Sequence, residues 1–125
     1  MPVPVDRWEA MRRMGENWDG YGAAAPLAEI IDLAREFAGL LEGMLAKSPA
    51  VPAELHASPT RVGGALIEWE DDRIEHEVEL NPDYSISFLH RNEITGDTQT
   101  RRLSANAPAV VDPGLLQELR HLVAA

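Results

Sequence analysis

Apolar residues recur at helical spacing in the first half of the chain and at alternate positions in the second. The change of period near Gly63 divides the sequence into a helical part and a strand-forming part. Trp8, Met11 and Met14 mark a short amphipathic helix over about 6–15, with Asp6 and Glu9 at capping-box spacing and Gly15 as its end. Pro26 is tolerated in a first helical turn and opens a second helix over about 26–46. Its stripe runs through Leu27, Ile30, Ile31, Ala34, Phe37, Ala38, Leu41, Met44 and Leu45, with Asp32, Arg35, Glu36 and Glu42 on the other side. Between the helices, Asn17-Trp18-Asp19-Gly20-Tyr21-Gly22 reads as a loop, since Asn, Asp and Gly supply turn hydrogen bonds and positive φ. The Pro/Ala/Ser-rich stretch 48–62 reads as a connector.

The alternating part predicts strands over about 64–70, 73–80, 84–93 and 97–103. A two-residue turn at Asp71-Asp72 would pair Trp69 with Ile74, Glu68 with Glu75 and Ile67 with His76. A three-residue turn at Asn81-Pro82-Asp83 would set Leu80 opposite Tyr84, Val78 opposite Ile86 and His76 opposite Phe88. A turn around Thr95-Gly96 would bring Leu103 beside Phe88 and Arg102 beside Leu89. Asp112-Pro113 then introduces a last helix over about 113–124, with Leu115, Leu116, Leu119, Leu122 and Val123 on one side. The expected fold is α+β: two N-terminal helices, a four-stranded antiparallel meander and a C-terminal helix, with the helices packed on one sheet face.

With 125 residues the chain suits a single domain able to bury a core without staples. It has no cysteine, which removes disulfides, thiol catalysis and thiolate metal sites together. The net charge of -10 argues against direct contact with nucleic acid or an anionic membrane, both of which require cations. The N-terminal residues lack a signal-peptide pattern and no apolar run is long enough to span a bilayer, so a cytoplasmic location is expected.

The charge acquires a location from the strand pattern. Glu68, Glu70, Glu75, Glu77 and Glu79 fall on the sheet face opposite the expected core, together with Arg73, Arg91 and Arg102. Such a face suits either solvation or docking of a basic partner. His76 and His90 land on the apolar side, close diagonally, while His56 and His121 lie apart. Two imidazoles fall short of the three or four ligands of a zinc centre, so neither a metal nor a cofactor is expected. There is no zinc-protease, nucleophile-elbow, phosphate-loop or dinucleotide motif, and no serine has a neighbouring histidine. Trp18 and Tyr21 form a second candidate site, as aromatics able to stack on a ligand, or as a core plug held by Asp19.

The run Asn17-Trp18-Asp19-Gly20-Tyr21-Gly22-Ala23, then Pro26, and later Gly63-Gly64 leading to Leu66-Ile67-Glu68-Trp69, carries a resemblance. It resembles a loose group of small, uncharacterised bacterial proteins with an Asn-Trp-Asp-(Gly/Ser)-Tyr-Gly-Ala-x-Pro loop and a Gly-Gly-x-x-x-Glu-Trp hairpin. Two extra alanines precede Pro26 here, and the last part of the chain lies outside the pattern. The resemblance implies bacterial origin, and with no established activity in the group it transfers no functional residue.

The expected function is therefore non-enzymatic: a small acidic interaction module, antitoxin-, immunity- or adaptor-like, presenting Glu68, Glu70, Glu75, Glu77 and Glu79 to a basic protein. One alternative is a hydrolase or metal-dependent enzyme using Glu68 and Glu75, or His76 and His90. Others are a secretion-chaperone-like dimer and a DNA mimic. A homodimer is also considered, because Leu33 and Leu40 widen the stripe of the long helix.

Overall fold

The long apolar stripe of the sequence forms a helix that lies against one face of an antiparallel sheet. The structure, a computed structural model, describes residues 3–45, 54–71, 73–83 and 85–104. Its elements are α1 (Val5–Arg12), α2 (Ala28–Leu45), β1 (His56–Pro59), β2 (Ala65–Asp71), β3 (Ile74–Leu80), β4 (Ser85–Asn92) and β5 (Thr98–Ser104). The α+β class stands. The expected C-terminal helix over 113–124 lies outside the described residues.

α2 begins at Ala28, two residues later than expected, because Leu27 is fastened outside the helix. Its N–H donates to Gly63 O at 3.1 Å, while its carbonyl accepts from Ile30 and Ile31 at 3.0 Å each and so starts the helical ladder. From α2, Ile30, Ile31, Leu33, Ala34, Phe37, Ala38 and Leu41 are buried. The sheet supplies Ala57, Ala65, Ile67, Trp69, Val78, Leu80, Ile86 and Phe88 to the same core. Phe37 and Phe88 join the two layers, with ring centroids 6.3 Å apart. Leu33 is buried within the chain and Leu40 half-buried, so Leu33 does not extend an exposed stripe and gives no support to a dimer.

α1 corrects the expected capping box. Its N-cap is Pro4 in extended conformation, no side chain caps it, and Asp6 lies in the first turn, where its charge still suits the helix dipole. The helix closes at Arg13 instead of Gly15, through tightened bonds from Arg13 N to Ala10 O and from Met14 N to Met11 O. Trp8 and Met11 are buried beneath it. Arg7 Nε donates to Ala57 O at 2.7 Å, and an Arg12–Asp32 ion pair joins α1 to α2.

The sheet has five strands in the order β1-β2-β3-β4-β5, one more than expected. The additional strand arises within the predicted connector, where His56–Pro59 pairs antiparallel with β2 and Ala57 turns into the core. Pro59 lacks an N–H and is accommodated because β1 is an edge strand.

All three predicted registers are displaced by two residues. Asp71 pairs with Ile74, so Trp69 meets His76, Glu68 meets Glu77 and Glu70 meets Glu75. The turn sits one residue later than expected, with Arg73 in a left-handed conformation (φ 65) and its carbonyl accepting from Glu93 N at 3.0 Å. Leu80 likewise pairs with Ile86 and His76 with His90. Asp83 holds that connection by accepting from Ser85 N at 2.9 Å and Ser85 Oγ at 2.6 Å. At the last hairpin Asn92 Oδ1 accepts from Ile94 and Thr95, which sets Phe88 against Arg101, Leu89 against Thr100 and Ile86 against Leu103. A shift of two preserves the face of every side chain, so the predicted partition into core and acidic faces survives while the pairings change.

Candidate functional site

β2 and β3 run side by side with glutamates at alternate positions, and antiparallel pairing brings the two series onto one face. Glu68 lies directly across from Glu77, and Glu70 from Glu75; Glu79 lies between Leu66 and Ser87. Glu68 and Glu75, predicted to face each other, are diagonal neighbours, which corrects the expected carboxylate pair. Of the three arginines assigned to this face, Arg91 approaches Glu75 with Nε 3.8 Å from Oε2. Arg73 lies in the β2–β3 turn, and Arg102 stands in register with Ser87 on β4.

Glu54 and His56 extend the face beyond the predicted set. With Glu68, Glu70, Glu75 and Glu77, and with Trp69 and His76, they line an open groove of about 340 Å³. The Pro/Ala/Ser-rich pattern around β1 carries no strand signal to place them here; paired with β2, His56 falls opposite Glu68. Glu93 was missed for a different reason, since its place depends on where the hairpin turns. Glu70, Glu75 and Glu93 each bring a carboxylate oxygen within 4.8 Å of the others. Oxygen donors of this kind suit hard cations.

Glu77 carries the electrostatic cost of the arrangement. It occupies the central strand between Glu68 and Leu89. Burial pushes its carboxyl above the usual range, and the charges of Glu68, Glu75 and Glu79 push in the same direction against Arg91. The Glu93 carboxyl is also raised, first by a hydrogen bond with Glu70 and then by burial and the charges of Glu70 and Glu75. Replacing Glu77 by glutamine is expected to raise stability by about 0.5 kcal/mol at neutral pH and low salt. Urea unfolding at two salt concentrations checks this: the gain should shrink as salt screens the face.

Trp18 and Tyr21, the second predicted site, serve separate roles. Trp18 is half-buried, is not among the buried residues of the core, and donates through Nε1 to Ala24 O at 2.9 Å. Asp19 Oδ1 accepts from the amides of Tyr21 (2.8 Å) and Ala23 (3.1 Å), and Oδ2 meets Arg61 Nε at 2.9 Å. Burial pushes the Asp19 carboxyl up, but these bonds and the Arg61 charge hold it below its ordinary value. Arg61 also donates to Tyr21 O, tying the loop to the approach to β2. The Tyr21 side chain is 83% exposed and available for contact.

On the opposite sheet face His76 is 2% exposed and His90 half-buried. They pair directly across β3 and β4, closer than the predicted diagonal. Burial pushes both imidazoles down, His76 to about 4 with a further contribution from His90. Among the described residues no helix is long and apolar enough to cross a membrane. Comparison with protein-family models, curated proteins and solved structures finds no match to the chain.

Proposed function

We propose that the chain is a cytoplasmic protein-interaction module, antitoxin-, immunity- or adaptor-like, that docks a basic protein on its acidic sheet face. The observation that supports this is the pair of directly opposed glutamate couples, Glu68 with Glu77 and Glu70 with Glu75. Like charges directly opposed cost stability in the free protein. A cationic partner relieves that repulsion on binding, and the concentrated field accelerates its approach. The groove by β1 gives such a partner a concave, carboxylate-lined place for a Lys or Arg side chain. Tyr21 offers a separate aromatic contact.

The test is an affinity capture with the tagged chain, run in parallel with a Glu68→Lys/Glu75→Lys/Glu77→Lys variant. A basic protein retained by the wild type at low salt, released as salt rises and not retained by the variant, is the expected result. Recovery of the same proteins by both baits sinks the reading. Duplex DNA added as competitor separates two kinds of partner: displacement marks a nucleic-acid-binding protein, as the DNA-mimic reading requires.

A further inference from the structure

The two edges of the sheet differ in what they offer to a further strand. An antiparallel strand turns the N–H and C=O of alternate residues toward its neighbour and those of the residues between them away from it. In β1 the bond from Thr60 N to Gly64 O fixes this alternation, so that Ala57 and Pro59 face outward. Both are closed: Arg7 Nε occupies Ala57 O at 2.7 Å, and Pro59 has no N–H. At the other edge Asn92 N donates to Asp97 O at 2.9 Å, which turns Gln99, Arg101 and Leu103 toward β4 and leaves Thr98, Thr100, Arg102 and Ser104 facing outward. Among the described residues no strand pairs along that edge, and Thr98, Gln99 and Thr100 are exposed. β5 runs for seven residues without a proline, a lysine or a glycine to blunt it.

Charge and symmetry identify the occupant. The acidic residues of the strands all lie on β2 and β3, while β4 and β5 have none. A second copy approaching edge to edge therefore meets the half of the sheet that repels it least. With strands about 4.8 Å apart, the β3 strands of two copies joined through β5 stand about 24 Å from one another, beyond the Debye length of about 8 Å at physiological salt. The outward row is also self-complementary. A two-fold axis through Arg101 sets Thr98 against Ser104 and Thr100 against Arg102 of the other copy, and all four outward residues then exchange N–H and C=O with a partner. Arg101 opposite its own copy is the like-charge contact of this register. Because β1 is closed, the pairing ends at two copies and does not propagate into a filament.

We propose that β5 is a dimerisation edge, on which a second copy of this chain pairs antiparallel to make one continuous ten-stranded sheet. The two-fold axis stands perpendicular to the sheet, so the glutamate faces of both copies look the same way. The dimer forms without the basic partner, and where that partner docks it meets two equivalent acidic faces side by side.

Sedimentation equilibrium of the full-length protein at low and high salt is the test. A mass of two chains is expected, with the dimer tightening as salt screens the net charge of -10 that each copy carries. Docking of a basic protein on the glutamates weakens with salt, so the two readings fail separately. Thr100→Pro removes an outward N–H and leaves the bonds to β4 in place; the two-fold axis counts that loss twice, and the dissociation constant of the dimer should rise at least about tenfold. Thr98→Lys/Thr100→Lys adds charge to the edge with the backbone unaltered and should act in the same direction. Circular dichroism establishes that each variant folds, and if the proline variant does not, the lysine variant decides the matter. A Glu70→Gln/Glu75→Gln variant should dimerise at least as well as the wild type. A chain that stays monomeric up to submillimolar concentration overturns the proposal, leaving the edge to residues 105–125 of the same chain or to a different protein. A dimer that both edge variants leave intact overturns it as well.

Discussion

Alanine at Gly64 is expected to destabilise the fold by about 3 kcal/mol, although it adds a single methyl group. Gly64 immediately precedes β2, beside the Leu80 end of β3. A Cβ placed there collides with the carbonyl oxygen of Leu80, and meets Thr60 Oγ1 at 3.0 Å and the Leu80 carbonyl carbon at 3.3 Å. Leu80 has little freedom to retreat, since its side chain is fully buried and it pairs with Ala65 and Ile86 on either side. Thr60 is held as well, donating its N–H to Gly64 O and accepting from Gly64 N through Oγ1. Gly39→Ala in α2 is the informative contrast. Nothing lies within 4 Å of the added methyl, and removing a helical glycine should stabilise by about 0.5–1 kcal/mol. Urea unfolding of the two variants reads both effects as opposite shifts of midpoint. A Gly64→Ala variant as stable as the wild type would show that β2 and β3 can separate at this point.

The second large effect is acid sensitivity centred on His76. In an unfolded chain its imidazole takes a proton near pH 6.5, whereas in the fold it does so near 4. Between those values the unfolded state binds more protons, so each step down in pH draws the equilibrium toward unfolding. The contribution is complete above about pH 6.5 and lost by about pH 4, an interval worth about 3 kcal/mol. His90 is displaced in the same direction and adds to the loss. Glu77 acts against it: its carboxyl is raised, so neutralisation on acidification relieves repulsion from Glu68, Glu75 and Glu79. Unfolding free energies at pH 7 and pH 4.5 in metal-free buffer should fall for the wild type and change much less for His76→Phe. Equal losses in the two proteins would assign the acid sensitivity to other groups.

The sequence was informative about faces and uninformative about partners, and one geometric fact explains both. Moving a hairpin turn by one residue shifts its register by two, and a shift of two returns every side chain to its original face. Glu68, Glu70, Glu75, Glu77 and Glu79 were therefore legible as a set, and Trp69, Val78, Ile86 and Phe88 as core. Which glutamate opposes which goes with Arg73 adopting positive φ in the β2–β3 turn, and the pairing of β3 with β4 goes with Asp83 binding Ser85, neither visible in hydrophobic alternation. β1 escaped because four residues, His-Ala-Ser-Pro, carry too short an alternation to register and end in a residue associated with loops. The start of α1 misled because Asp6 and Glu9 have capping-box spacing while the chain enters its helix from Pro4.

The order of the sheet has a kinetic consequence. Every strand pairs with its neighbour in sequence, from β1 through β5. Each pairing therefore closes only a short loop, with little entropic resistance, and the strands can join one hairpin at a time. Bringing α1 onto β1 is another matter, since the Arg7–Ala57 bond joins residues 50 apart in the chain. That contact gathers its reward only after the long closure has been made, so the seating of α1 on β1 is expected to follow the hairpins, whereas its Arg12–Asp32 pair with α2 closes a shorter stretch of chain.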